Sequence, residues 1–250
     1  MDDSALKTSD LLSRLASRVT RCRRCPRLRE YCLEIASTKR RAYTDWDYWG
    51  LPVPGFGDPA AWLWIVGLAP AAHGANRTGR VFTGDRSGDF LFAALHRAGL
   101  ANQPESRNRE DGLQLAGVYI SAAVRCAPPE NKPSPIEIAN CSGYLDREWK
   151  LLSETRVLLA LGRIGWDAII SLARRNGCNF PEGKIAFAHG ATMRLSQKRW
   201  LVGSYHVSQQ NTFTGKLTTA MFDAVLRRCR EVAAEGNDEQ ARGLNLTEPG

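Results

Sequence analysis

Four cysteines in this sequence have the spacing of a metal-binding set of thiols. Cys22 and Cys25 form a C-x-x-C pair in a basic segment, and a proline-rich segment separates Cys126 from Cys141. Four thiolates in such a pattern can hold tetrahedral zinc or an iron–sulfur cluster, and the spacing does not separate the two. The alternative is that all seven cysteines are scattered core residues. Three are expected to be ordinary buried thiols in either case: Cys32, Cys178 and Cys229.

A glycine-rich loop, GLAPAAHGANRTGRVFTGDRSG, follows the apolar run 62–66 and carries residues suited to catalysis. Because it connects a buried strand to a helix, it lies where open α/β sheets bind ligands. Asp85 could position or deprotonate a water molecule, or it could cap the following helix. Phe82 could stack on a planar ring, or it could pack in the core. We therefore expect this loop to form the floor of an active site.

Two polar residues in later loops could complete such a site. Asn131 offers both a donor and an acceptor to a polar ligand, but beside Pro133 it could equally form a turn. His206 follows the last apolar run, where a ring nitrogen could donate to an oxygen that gains charge. A lone histidine at a strand end is also often structural. Further candidates to line the pocket or touch a phosphate are Ala71, His73 and Asn76.

The elements that must position these residues alternate between buried strands and helices. Apolar runs predict strands at 62–66, 118–124, 156–161, 185–188, 192–195 and 200–203. Helical periodicity predicts helices at about 9–19, 89–99, 135–152, 163–173 and 217–234, and Pro26 stops the first helix or starts a second. This alternation predicts an α/β fold with a mostly parallel sheet covered on both faces, in one domain over residues 1–235. The polar segment 236–250 is expected to be a disordered tail.

Composition and charge restrict the class of protein further. The 250 residues suffice for one large domain with a full core. A net charge of +8 permits a nucleic-acid partner without requiring one. The odd number of cysteines, seven, argues against a complete disulfide framework. No apolar run reaches about 18 residues and the N-terminus has no signal-peptide pattern, so we expect a cytoplasmic protein without a membrane segment.

Three segments resemble the motifs of the uracil-DNA glycosylase superfamily: the glycine-rich loop above, AVRCAPPENKP, and YHVSQQNTFTGKLT. They are most similar to the family 5, or type B, enzymes of bacteria and archaea, and the resemblance runs from about Cys22 to the last helix. It implies a three-layer α/β/α sandwich around a short, mostly parallel central sheet. It also implies a [4Fe–4S] cluster held by cysteines at these spacings, namely Cys22, Cys25, Cys126 and Cys141.

The resemblance implies hydrolytic excision of uracil from DNA, and of other damaged bases such as hypoxanthine or ethenocytosine. Such an enzyme extrudes the nucleotide, stacks the base, recognises its edge and stabilises the departing anion. Phe82 would stack on the base, and Asn131 would read its uracil-type edge. His206 would stabilise the base anion, and Asp85 would activate water or stabilise the oxocarbenium-like sugar. DNA is then the partner, and we expect a monomer.

Two departures from the family pattern affect these roles. Several sister families carry the water-activating carboxylate at the position of Ala69, so Asp85 in the TGD segment is the candidate here. Val207 stands where related histidine motifs have proline, which affects the stiffness of the loop more than its chemistry. Lys132 and Lys216 are the only lysines near the motifs, and neither is an identifiable catalytic amine. The sequence therefore predicts a monofunctional glycosylase.

Two other functions remain open from the residues alone. The chain could be a non-catalytic nucleic-acid-binding module with a structural zinc, in which the Asp85 loop only packs. A nucleotide-phosphate cradle is disfavoured, because the loop contains neither G-x-x-x-x-G-K-[ST] nor G-x-G-x-x-G. Candidate contacts to a DNA backbone are Arg77, Arg80, Lys132, Lys216 and the basic run 21–29.

Overall fold

A six-stranded sheet forms the centre of the molecule in the computed structural model, which describes residues 3–180 and 185–244 and, for side chains, 6–180 and 185–235. The strands are β1 (Phe56–Gly57), β2 (Leu63–Gly67), β3 (Val118–Ala122), β4 (Val157–Leu161), β5 (Thr192–Arg194) and β6 (Trp200–Ser204). Their order is β1-β3-β2-β4-β6-β5. The four inner strands are parallel and the two edge strands antiparallel, so the predicted mostly parallel sheet is confirmed.

Eight helices accompany the sheet within the described residues. They are α1 (Asp3–Thr20), α2 (Pro26–Thr38), α3 (Ala75–Thr78), α4 (Arg86–Arg97), α5 (Pro135–Leu151), α6 (Arg163–Arg175), α7 (Gln209–Phe213) and α8 (Thr219–Leu244). Pro26 starts a second helix rather than only stopping the first, because proline suits the first helical turn, where its missing N–H has no partner. Helix α8 continues past residue 235, where we expected the disordered tail to begin. Residues 245–250 lie outside the described residues.

Both faces of the sheet are covered, which explains why the inner strands lack an alternating pattern. Every residue of β2, β3 and β4 is buried, as expected for parallel strands between two helical layers. Phe92 of α4 and Phe222 of α8 belong to the core on one face. Leu12 of α1, Leu145 of α5 and Trp166 of α6 belong to the core on the other. The predicted three-layer α/β/α sandwich is confirmed.

One predicted strand is wrong. Residues 185–188 are irregular, and β6 pairs with β5 instead. The segment is apolar because it packs on α6 rather than joining the sheet. The Trp166 indole donates to the Ile185 carbonyl over 3.3 Å, and the Phe187 ring lies between the rings of Trp166 and Tyr205.

The parallel arrangement brings the functional loops together. Strands β2, β3, β4 and β6 run in one direction, so their carboxyl ends meet at one edge of the sheet. The glycine-rich loop, the proline-rich loop and the histidine loop begin there. No helix within residues 3–180 and 185–244 is both long and apolar enough to cross a membrane.

Candidate active site

A cavity of about 660 Å³ lies where the loops after β2, β3, β4 and β6 converge. Apolar side chains form part of its wall, among them Leu68 and Ala69 of the loop after β2 and Leu161 at the end of β4. Five of the predicted site residues also line it: Ala71, Phe82, Asp85 and His206, with Asn131 at its rim. Side chains that are far apart in sequence therefore share one concave site.

Phe82 lies on the floor of this cavity. Its ring lies directly over Gly67 at the end of β2, where an added Cβ would come within 2.6 Å of Cζ. Its backbone φ of 53° lies in the left-handed region, which is uncommon for a bulky residue and orients the ring toward the cavity. The ring centroid is 6.2 Å from that of His206. Phe82 also belongs to the buried core, so the same ring both packs in the core and lines the cavity.

Asp85 both caps a helix and lines the cavity. Its Oδ1 accepts a hydrogen bond of 3.0 Å from the Gly88 backbone N–H, which makes it the N-cap of α4. Its Oδ2 lies so close to Gly74 that an added Cβ would meet it at 2.0 Å. Burial raises the pKa of Asp85, while backbone N–H groups of Gly88 and Ser87 oppose the shift. The cap therefore holds a carboxylate that is more basic than an exposed one.

Arg77 fixes the loop that carries Asp85. Its Nε donates to the His73 carbonyl over 2.8 Å and its Nη2 to the Gly84 carbonyl over 2.7 Å. The guanidinium lies 3.9 Å from the ring centroid of Tyr43 and 4.1 Å from that of Trp46. Only 4% of Arg77 is exposed. Arg77 was a candidate for a contact to a DNA backbone from the sequence, but the structure places this charge inside the protein.

Arg80 is likewise buried rather than available to DNA. It forms an ion pair of 2.6 Å with Asp111, and both side chains are less than 9% exposed. The guanidinium also donates to Ser106 and Thr83. Arg80 therefore links the glycine-rich loop to the segment that carries Ser106 and Asp111.

His206 lies beside Phe82 in a poorly solvated position. Burial lowers its pKa to about 4, so the imidazole is neutral near pH 7. A neutral imidazole keeps one N–H donor. The Asn211 amide donates to the His206 carbonyl over 2.8 Å, and Gly162 leaves room for the His206 side chain, since an added Cβ would be 3.1 Å away. The loop around this histidine is thus held by α7 and by the turn after β4.

The other predicted pocket residues occupy three different environments. Asn131 is exposed at the rim with a φ of 56°, and Glu130 before it has a φ of 54°. His73 lines a groove next to the cavity, where its Nδ1 lies 3.1 Å from the Tyr48 hydroxyl. Asn76 is fully buried and donates to the Cys32 carbonyl over 3.2 Å. The structure does not bring Asn76 to the cavity.

The cysteines of the predicted metal set fall in two buried clusters of the described residues. Cys25, Cys126 and Cys141 belong to one buried cluster, and Cys22 packs beside it against Tyr144. Burial raises the pKa of the Cys25 thiol, and the neighbouring Cys126 and Cys22 raise it further.

Sequence analysis missed that Cys32 belongs to the same buried cluster. Cys25 is the N-cap of α2 and Cys32 lies about two helical turns further along it. Residues at that separation share one face of a helix. The helical spacing of the two cysteines was therefore a signal that could have placed Cys32 beside Cys25.

A buried ion pair anchors the segment that carries Cys126. Arg125 Nη2 lies 2.6 Å from Glu148 Oε2, and each side chain is 1% exposed. The Tyr119 hydroxyl approaches the other oxygen of the same carboxylate at 3.5 Å. Because breaking such a pair leaves an uncompensated buried charge, it fixes the chain strongly between β3 and α5.

The chain belongs to the uracil DNA glycosylase superfamily. The model of this family matches residues 54–230, which include every residue that lines the cavity. A type-5 uracil-DNA glycosylase of Mycobacterium leprae is 50% identical over 220 residues, which is 88% of this chain and 94% of that protein. One of Thermus thermophilus is 50% identical over 217 residues, 86% and 95% of the two chains. One of Pyrobaculum aerophilum is 43% identical over 212 residues, 85% and 89%.

These relatives confirm the type-5 family that the loop motifs resembled. A type-4 uracil-DNA glycosylase of Pyrobaculum aerophilum is also similar, at 33% identity, but the match covers only 49% of this chain. The type-5 matches extend over most of both chains. Ala69 and Val207, which depart from the motifs of sister families, therefore occur in a chain of the type-5 family.

The cysteine cluster has the donor chemistry that an iron–sulfur group needs. The Asn140 amide lies 3.5 Å from Cys25 Sγ, Arg29 lies 4.0 Å from Cys126 Sγ, and the Arg125 backbone N–H donates to Cys141. Such donors stabilise thiolates. Among the described residues, no three His, Cys, Asp or Glu side chains are grouped closely enough for a single metal ion.

The lowered pKa of His206 predicts a specific dependence of stability on pH. Between its ordinary value of 6.5 and about 4, the unfolded chain binds a proton that the folded chain does not. Stability contributed by the neutral imidazole is therefore present above pH 6.5 and lost as the pH falls toward 4. On going from about pH 7 to about pH 5, we expect His206 to account for about 1–2 kcal/mol of lost unfolding free energy. Urea denaturation of the wild type and His206→Gln at both pH values measures it; parallel losses in the two proteins would contradict the assignment.

Proposed function

We propose that this chain excises uracil from DNA by hydrolysing the N-glycosidic bond and leaves an abasic site. The observation that carries the proposal is the convergence of Phe82, Asp85 and His206, from two separate loops, on one cavity at the carboxyl edge of the sheet. Membership of the uracil DNA glycosylase superfamily supports it, as do the names of the type-5 relatives. A flipped nucleotide needs such a cavity because its reacting bond is inaccessible within the duplex.

Phe82 and Ala71 form the base-binding part of the proposed site. The Phe82 ring offers an aromatic face at the cavity floor, and Ala71 adds a small apolar wall. Stacking on an aromatic face accepts any base, since every base has a π surface. Asn131 at the rim supplies the amide that would read the edge of the base. His73 lies outside the cavity and Asn76 is buried, so neither is given a role in base recognition.

Asp85 activates the water that replaces the base. In hydrolysis, the water oxygen bonds to the anomeric carbon of the sugar as the bond to the base nitrogen breaks, and the bonding electrons leave with the base. Asp85 accepts the proton released from the water, or stabilises the cationic sugar electrostatically. Its raised pKa makes it a better proton acceptor than an ordinary aspartate. Among the described residues, no lysine lines the cavity, which favours water over an amine as the nucleophile.

His206 stabilises the departing base. As the glycosidic bond breaks, negative charge spreads to the oxygens of the pyrimidine, and an N–H donor fixed in a poorly solvated site stabilises that charge. A neutral imidazole suits this role, because it donates one hydrogen bond without first giving up a proton. The proton that the free base finally needs comes from solvent.

We further propose that Cys22, Cys25, Cys126 and Cys141 hold a [4Fe–4S] cluster. When bound, the cluster supplies a covalent cross-link among the start of α2, the loop after β3 and helix α5. Such a link stabilises the proline-rich loop that carries Asn131 into the cavity rim. No step of hydrolysis passes through it.

The proposed substrate range extends beyond uracil to bases such as hypoxanthine and ethenocytosine. The cavity wall near the first motif is apolar at Ala69, and the Asn131 amide is exposed at the rim rather than enclosed. Rejecting a base requires buried polar groups that are left unpaired by the wrong substrate. A site with few such groups discriminates weakly among flipped bases.

Replacing Asp85 by asparagine tests the catalytic proposal. Asparagine still caps α4, but it cannot accept the proton from water. We expect base release from a uracil-containing duplex to fall by about 10²–10⁴-fold, while the affinity for DNA remains. Single-turnover cleavage and fluorescence anisotropy measure the two quantities. Asp89→Asn, at an exposed carboxylate on the first turn of the same helix, is the control; full activity of Asp85→Asn would remove Asp85 from the mechanism.

A second substitution tests whether the position of the Asp85 carboxylate matters. In Gly74→Ala the new Cβ would meet Oδ2, which must move. Displacement of a catalytic group by about 1 Å can cost about 10²-fold in rate, so we expect that loss in kcat with little change in KM. Gly143→Ala is the matched control, since no described atom lies within 4 Å of its added Cβ. Equal kcat in the two variants would contradict the placement of Asp85.

The cluster proposal predicts a visible chromophore. The purified protein should be brown, with absorption near about 400 nm and bound iron. Cys126→Ala should lose both the absorption and the iron. Cys32→Ala should retain them, because Cys32 is buried beside the proposed ligands but is not one of them. Absorption spectra and metal analysis measure the outcome. A colourless, zinc-loaded protein would instead support the zinc-binding module considered from the sequence.

A further inference from the structure

A second groove opens directly beside the cavity and has no role in the steps above. Its volume is about 590 Å³. Cavity and groove share part of their walls, formed by Ala71, Asp85, Arg86, Glu130, Asn131 and Gln209. The groove therefore adjoins the cavity directly.

The groove combines aromatic and cationic side chains. Tyr31 and Tyr43 line it on the side of α2 and the turn that follows, and Arg40 and Arg86 are exposed along its edge. The Arg40 guanidinium has no hydrogen bond or ion pair within the part of the chain that the structure describes. Burial, and after it the nearby charge of Arg40, lower the pKa of His73 in the same groove. A positively charged groove with aromatic platforms is the common arrangement for single-stranded nucleic acid.

The two tyrosines are held in place by their other contacts. One face of the Tyr43 ring is covered by the Arg77 guanidinium at 3.9 Å, and Trp46 packs edge-on against it at 6.5 Å. Tyr31 is half-buried against the cysteine cluster. Rings fixed in this way lose little conformational freedom when a ligand stacks on them.

The acidic groups at this groove are largely compensated. The Glu130 carboxylate lines it and is paired with Lys132 at 3.0 Å. Asp85 stands at the border with the cavity, where it caps α4. Among the described residues that line the groove, the exposed charges without an ion pair are the two arginines, which suits an anionic chain.

We propose that this groove is a second nucleotide subsite, which takes the nucleotide next to the flipped one, with its phosphate on Arg40 and its base or sugar against Tyr43. This inference rests on the proposed function, because a base in the cavity remains covalently joined to its neighbours along the strand. The groove adjoining the cavity is then on the path of one of those neighbours. Arg40 acts as a binding residue for the strand rather than for the excised base.

Neutralising one phosphate of the substrate at a time tests the phosphate contact. Single methylphosphonates replace each phosphodiester in turn on either side of the uracil, in substrates for the wild type, Arg40→Gln and Arg41→Gln. Arg41 neighbours Arg40 in the sequence and is exposed, but it does not line the groove. At one linkage we expect neutralisation to reduce kcat/KM of the wild type and of Arg41→Gln by about tenfold, and of Arg40→Gln by less than about twofold.

The salt dependence gives an independent measure. The slope of log Kd for uracil-containing DNA against log salt concentration should fall in magnitude by about 1 in Arg40→Gln and stay unchanged in Arg41→Gln. Equal sensitivity of all three proteins at every linkage, with equal salt slopes, would overturn the subsite. If the proposed function is wrong, no substrate releases uracil. In that case, the affinity of each protein for the same series of methylphosphonate DNAs, measured by fluorescence anisotropy, still decides whether Arg40 binds a phosphate.

A missing base at the neighbouring position tests the aromatic half of the subsite. A tetrahydrofuran residue in place of the flanking nucleoside should weaken binding to the wild type and to Tyr43→Phe by about tenfold. It should weaken binding to Tyr43→Leu by less than about threefold, since the stacking face is already lost. Melting temperatures of the two variants control for the support that Tyr43 gives to Arg77. Equal losses in all three proteins would restrict the subsite to its phosphate contact and overturn the proposed stacking on Tyr43.

Discussion

The buried guanidinium of Arg77 is the constraint on which the proposed site depends. It donates hydrogen bonds to the carbonyls of His73 and Gly84, which lie before and after α3 in the chain. Gly84 immediately precedes Asp85, so these bonds fix the backbone from which the carboxylate projects. The rings of Tyr43 and Trp46 enclose the charge and give it the polarisable contact that replaces water. Without this closure, a loop rich in glycine would hold the carboxylate poorly.

Burial at the sheet edge shifts the pKa values of an acidic group, Asp85, and a basic group, His206, in opposite directions. It raises the pKa of Asp85 and lowers that of His206 because both shifts favour the neutral form. For the aspartate this means a stronger affinity for a proton, and for the histidine a single N–H donor without positive charge. One apolar environment thus prepares a proton acceptor and a hydrogen-bond donor in the same cavity, with the Phe82 ring on its floor.

Helix α2 connects the cysteine cluster to the surface proposed to bind DNA. Cys25 precedes its first residue and Cys32 lies within it, and both belong to the buried cluster. Tyr31, on the same helix, faces the groove beside the cavity. The side chain of Arg29 reaches both Cys126 and the carbonyl of Gly50. The same helix therefore carries residues of the buried cysteine cluster and an aromatic wall of the groove proposed to bind the strand.

The sequence alone determined the strands β2, β3 and β4 and the three loops at one sheet edge. These follow from local rules: fully apolar runs and glycine after a strand. At Pro26 the sequence left two alternatives, the end of the first helix or the start of a second, and the structure shows the start of a second. The type-5 family was also recognisable from the loop motifs. Only the tertiary structure decided that Arg77 and Arg80 are buried, that Asn76 faces Cys32 and that residues 185–188 pack on Trp166. Contacts with residues distant in the chain decide where these polar and apolar side chains lie, and no local sequence pattern specifies such contacts.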